Sequence, residues 1–234
     1  MVVLQALYLV VLISSLLIQF GLILFAWTRH TTPGALTFMW FMVTATFIAL
    51  GYFLLAIAPN ATFAYIWARL RFLGMAFLPV TYLLFVLQYV GRGDIWFKSH
   101  RYLWLLVIPV ITQVVIWTNG HHQAFFSSWS IEKQELLSVE TSTFGPWYDV
   151  HAIYGYLLVI AGFWILASTL VRAKGIYRRQ VLLLLIGSLA AILASLPAAL
   201  GFMKPPYNTF PLGSIIAGMG LIPLRPPRPD PSSA

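Results

Sequence analysis

Long apolar runs separated by short clusters of turn-forming and basic residues follow one another almost from end to end of this chain. A segment that crosses hydrocarbon has to satisfy its own backbone hydrogen bonds, so runs of this kind fold as membrane helices. Val3 to Trp27 is the first and Ala35 to Ala58 the second. The third begins near Thr62 and is continuously apolar from Phe72 to Val90. Leu103 to Trp117, Tyr148 to Val171 and Gln180 to Phe202 complete six. Composition agrees: 60% of residues are hydrophobic, 9% are charged, and the mean hydropathy is +0.86, against about a quarter charged in soluble domains.

The fold expected is all-α, a polytopic bundle of seven spans with a short seventh, over residues 1–224. Residues 225–234 form a proline-rich cytoplasmic tail. The last run, Phe210 to Leu224, is interrupted by Pro223 and spans roughly 22 Å at 1.5 Å per residue, less than the ~30 Å of a hydrocarbon core. No basic residue precedes the first run and no small-x-small cleavage site follows it, so it is read as a retained span. Pro79, Pro109 and Pro197 fall inside spans, where bends are expected.

The net charge of +8 does not indicate nucleic acid, because the basic residues lie in the gaps between apolar runs. Ten fall on one side of the bundle, among them Arg92, Lys98, Arg101, Arg172, Lys174, Arg178 and Arg179. The other side has only Lys133 and Lys204. This bias places the N-terminus and the loop 119–147 outside. With no cysteine there is neither a disulfide nor a thiolate nucleophile. The Asn60-Ala61-Thr62 sequon falls on the outer side and matters only in a eukaryotic secretory pathway.

Residues 119–156 form the one extended polar passage, carrying three of the five histidines and four of the six acids. Trp147, His151 and Tyr154 are spaced to share one helix face, with Leu158 a turn further on. Indole, imidazole and phenol at a membrane surface can hold an amphipathic ligand, although Trp and Tyr also form plain interfacial belts. An imidazole inside a span is costly unless partnered. His121 and His122 follow the fourth span and offer metal ligands, with His151 as a third, or hydrogen bonds that close the outer loop. Arg69 and Arg71 differ by about 200° around the third helix, so they cannot both face inward. One can pair with Asp149 or an anionic ligand, or both can sit at the interface. Tyr177-Arg178-Arg179-Gln180 reads as a topology anchor against anionic lipid. No phosphate loop, nucleophile elbow, metalloprotease motif or intramembrane carboxylate pair is present, so neither catalysis nor a cofactor is expected.

Three strings carry a resemblance: Thr118-Asn119-Gly120-His121-His122-Gln123-Ala124-Phe125-Phe126; Phe144-Gly145-Pro146-Trp147-Tyr148 leading to His151-Ala152-Ile153-Tyr154-Gly155-Tyr156; and Tyr177-Arg178-Arg179-Gln180. Together with Phe85, Gln88, Tyr89 and Gly91-Arg92, the chain resembles the N-terminal seven-helix region of bacterial sensor histidine kinases, a region also found before diguanylate cyclases. The resemblance implies a multi-pass sensor in the bacterial inner membrane. It implies an unknown small ligand, contact with membrane lipid, a possible homodimer, and signalling to a kinase or cyclase module not contained in these residues. The matching outer-face residues are His121, His122, Gly145, Pro146, Trp147, His151 and Tyr154. The rival readings are a small transporter, which calls for inverted repeats and polar groups at the midplane, and a histidine-dependent metal-binding membrane protein.

Overall fold

The computed structural model describes residues 2–199 except 33 and 135–136. Eight helices and one hairpin make up this part: α1 Val2–Thr28, α2 Ala35–Ala56, α3 Ala61–Tyr89, α4 Gly93–Lys98, α5 Tyr102–Trp117, α6 Asn119–His122, β1 Phe126–Gln134, β2 Leu137–Phe144, α7 Pro146–Arg172 and α8 Gly175–Ala199. Among the described residues, α1, α2, α3 and α7 are each long and apolar enough to cross a membrane, and α5 is a shorter apolar helix. The protein is a multi-pass membrane protein. The expected seventh run, Phe210 to Leu224, and the tail lie outside the described residues.

The outer faces of these helices show how membrane helices are built. Leu17, Trp104, Ile153, Leu157, Ile160 and Trp164 are exposed, as side chains are where lipid tails take the place of solvent. The inner faces pack a core of Phe38, Phe41, Met42, Tyr82, Phe85, Leu166 and Val181, drawn from α2, α3, α7 and α8. Pro79 and Pro109 sit within continuous α3 and α5. Asn60 of the sequon caps α3, its side chain accepting from the Phe63 N–H at 3.1 Å.

The outer passage departs from the all-α expectation. Instead of a loop it is an antiparallel hairpin, with Phe126 opposite Phe144, Trp129 opposite Ser142 and Ile131 opposite Glu140. Its Ser, Thr, Val, Ile and Trp content suits a pleated strand with one polar face. A lone two-stranded hairpin is marginal in water, and here the bundle supports it. Leu137 is buried against Tyr8 and Leu12 of α1 and Ala56 of α2. Phe125 and Phe126 pack on Phe72 of α3 and Ile116 of α5. The hairpin therefore lies at the end of the bundle where α1 begins.

Candidate functional site: the hairpin roof and the cavity beneath it

The roof is organised by Asn119, a buried side chain in the turn after α5. Its carbonyl oxygen accepts from the Phe125 and Phe126 N–H groups at 2.9 and 3.0 Å, and its amide donates to the Phe126 carbonyl at 3.0 Å. One side chain thus satisfies the backbone where the chain turns into β1. The return is equally close. Gly145 N–H donates to Phe125 O at 2.8 Å and Trp147 N–H to Ala124 O at 2.9 Å. A Cβ at position 145 would lie 2.4 Å from the Ala124 carbonyl oxygen, so only glycine fits. Asn119→Ala strands three backbone groups, and at about 1 kcal/mol for each the expected loss is ~3 kcal/mol. Unfolding of the purified protein in detergent measures it. A loss under ~0.5 kcal/mol would mean that the hairpin is held by its side chains alone.

Arg71 is buried and its guanidinium lies 2.6 Å from Glu140 of β2. The second Glu140 oxygen accepts from Trp129 Nε1 at 2.9 Å. The rings of Tyr52 and Phe72 lie 4.6 Å from the Arg71 guanidinium carbon. The partner is therefore not Asp149, which is exposed at the start of α7. β2 lowers its own carboxylate onto the bundle, which a loop reading of the passage did not anticipate. Arg69 lies over Trp117 and Trp129, 5.1 and 5.7 Å from their ring centres, so both arginines reach the hairpin. The reading that leaves both arginines at the interface does not hold for Arg71.

Beneath the roof, α3, α5 and α7 border a partly open cavity of about 200 Å³ lined by Phe72, Met75, Pro79, Phe125, Tyr148 and His151, among others. On its α5 side, Thr112 gathers several polar groups. Its hydroxyl donates to Ile108 O at 2.8 Å, accepts from Trp147 Nε1 at 3.1 Å, and lies 3.2 Å from His151 Nδ1. Pro79, four residues on from Met75, has no N–H to offer the Met75 carbonyl, which leaves that oxygen available. The Tyr154 hydroxyl donates to Leu105 O at 2.6 Å. Trp147, His151 and Tyr154 thus all turn to α5, on the single face their spacing requires, and each is hydrogen-bonded there.

His121 and His122 are not at this cavity. Both are exposed in α6. His122 Nδ1 accepts from the Ala124 N–H at 3.0 Å, and its Nε2 lies 3.0 Å from the Thr118 hydroxyl, which closes the turn. Among the described residues, no group of three metal-ligating side chains converges. Asn119, Thr112, Met75 and Glu140 are the site residues that sequence reasoning missed. The available signals were an asparagine at a span end, a threonine within an apolar helix, and a proline that frees a carbonyl four residues earlier.

A comparison with curated proteins returns no match. The family model described as the N-terminal 7TM region of histidine kinase matches residues 11–222, from within α1 to beyond the described residues. The match includes the roof, the Arg71–Glu140 pair and the cavity, so this chain belongs to the family of N-terminal 7TM regions of histidine kinases.

Proposed function

We propose that this membrane sensory region takes its signal at the hairpin end of the bundle, outside the cell, and passes it to a cytoplasmic histidine kinase or cyclase module. In this reading the chain makes seven passes of a bacterial inner membrane with its N-terminus outside, and it performs no catalysis itself. The observation that carries it is the cavity between α3, α5 and α7, with His151 and Thr112 paired at its wall. An imidazole placed in a helix bundle is a functional candidate by its cost alone. The route onward is α3. Its Tyr82 hydroxyl donates to Ser188 of α8 at 3.1 Å, and its Gln88 accepts from Thr37 of α2 at 2.8 Å. A ligand with different affinities for two positions of α3 would shift α8 and α2 along with it.

The test joins the bundle in frame to a diguanylate cyclase module and reads cyclase output in cells. His151→Ala is expected to change output or its response severalfold. His30→Ala, an exposed residue whose Nδ1 lies 2.9 Å from Trp27 O at the other end of α1, is expected to leave output unchanged. Equal effects of the two would remove the cavity from the signalling path.

A further inference from the structure

We infer that the cavity under the hairpin binds a small neutral aromatic molecule carrying one N–H or O–H donor, which enters from the membrane. This identification of the ligand class builds on the reading of the cavity as the sensor's input.

Size comes first. A cavity of about 200 Å³ is somewhat larger than the ~150 Å³ apolar cavity that takes up benzene. Because the cavity is partly open, this limits the part of the occupant held between the helices to on the order of six to ten non-hydrogen atoms, the size of a phenol or an indole. Shape follows from the walls. Phe72 and Phe125 meet edge to face with ring centres 5.3 Å apart, and Tyr148 meets Phe125 in the same way at 5.7 Å. A ring in the cavity extends this arrangement of aromatic edges and faces, which a flexible chain does not.

Charge and hydrogen bonding then narrow the chemistry. No Asp, Glu, Lys or Arg lines the cavity, and the nearby Arg71 is already committed to Glu140. A charged ligand would be desolvated without a counter-ion, so the ligand is neutral. Thr112 is saturated, accepting from Trp147, facing His151 and donating to Ile108. Thr112 spends its one hydrogen on Ile108 O, so the His151 Nδ1–H, 3.2 Å away, donates to it, and the neutral imidazole keeps Nε2 as an acceptor at the cavity wall. The ligand therefore supplies a donor. Access is from the side: Tyr156 lines the cavity and is 53% exposed on the lipid-facing surface of α7, a route suited to a molecule that partitions into the bilayer.

The experiment uses the full chain in lipid nanodiscs, with indole as the probe and benzofuran as its isostere without the N–H. Binding is read by calorimetry and by the unfolding midpoint. Indole is expected to bind and raise the midpoint, with benzofuran at least about tenfold weaker. Gly155→Leu and, as a second filling variant, Ala152→Leu should abolish indole binding, whereas Ile153→Leu, on the exposed face of α7, should not. Benzofuran binding as tightly as indole would overturn the donor requirement. Displacement of indole by 1-octanol at equal or lower concentration would instead make the cavity a seat for alkyl chains and overturn the aromatic class. If no probe binds but Ala152→Leu still shifts output in the cyclase fusion, the ligand class fails while the input reading stands. If no probe binds and neither filling variant changes output, both fail.

Discussion

Glu140→Ala is expected to destabilise the protein by about 3–5 kcal/mol, far more than a surface charge would, because it leaves a guanidinium buried without its counter-ion. The Arg71 and Glu140 side chains are only 6% and 9% accessible, and their charged atoms lie 2.6 Å apart. Around Arg71 the other contacts are the ring faces of Tyr52 and Phe72, which attract a cation but do not replace a carboxylate. The loss also removes the acceptor of Trp129 Nε1. Trp129 stacks on Phe126 with ring centres 4.4 Å apart, so the damage extends to the roof. Glu140→Gln, which keeps an acceptor but not the charge, should fall between alanine and wild type. The double change Arg71→Met with Glu140→Leu should recover most of the stability, since replacing both partners of a buried pair by apolar groups is commonly neutral or better. Denaturant titration in detergent checks all three. A Glu140→Ala loss below ~1 kcal/mol, with no gain from the double change, would show that water reaches the pair and screens it.

That pair also marks where sequence reading stopped. Apolar run length placed α1, α2, α3, α5 and α7 within a few residues, because hydrocarbon imposes a length and forbids unpaired backbone. The shared face of Trp147, His151 and Tyr154 followed from helical periodicity alone, and all three turn to α5. Periodicity set Arg69 and Arg71 apart around α3, but it did not show that both reach the hairpin, one over Trp129 and the other at Glu140. The acid that Arg71 meets did not follow from it, because Glu140 is 69 positions away in sequence and reaches it only once residues 126–144 pair as a hairpin. Periodicity over so short a polar passage did not separate a strand pair from a loop. Met75 was invisible for another reason: its own side chain carries no polar signal, and what sets it apart is a backbone carbonyl that Pro79, four residues on, cannot bond. His121 and His122 drew attention by their chemistry, and for His122 the bonds that close the turn explain the residue without a ligand.

Gly74→Leu is expected to prevent formation of the native bundle, at a cost above ~3 kcal/mol, the upper end of ordinary overpacking penalties. A Cβ on residue 74 of α3 would stand 2.5 Å from the Thr44 carbonyl oxygen, 2.7 Å from Ile48 Cγ1 and 2.9 Å from the Ile48 nitrogen of α2. Two of these obstacles are helix backbone, so no rotamer change relieves them and the helices have to separate. Small residues permit such close crossings in membranes, where packing rather than water expulsion holds helices together. The separation would break the bond between Thr44 and Thr81, whose hydroxyls are 3.0 Å apart. It would also displace Arg71 and Met75, which flank Gly74 on the same helix, from the hairpin and the cavity. Gly74→Ala, carrying only the first carbon, should cost about 1–3 kcal/mol. Gly21→Leu in α1 is the matched control. An added Cβ there meets nothing within 4 Å, and leucine favours a helix over glycine, so stability should hold or rise slightly. Size-exclusion profiles and thermal melts by circular dichroism of the three variants decide the matter. If Gly74→Leu and Gly21→Leu behaved alike, α2 and α3 would not touch backbone to backbone at this point, and α3 would be free to move without α2. A large difference ties the two helices into one body, so that a ligand against Met75 and Pro79 acts on both.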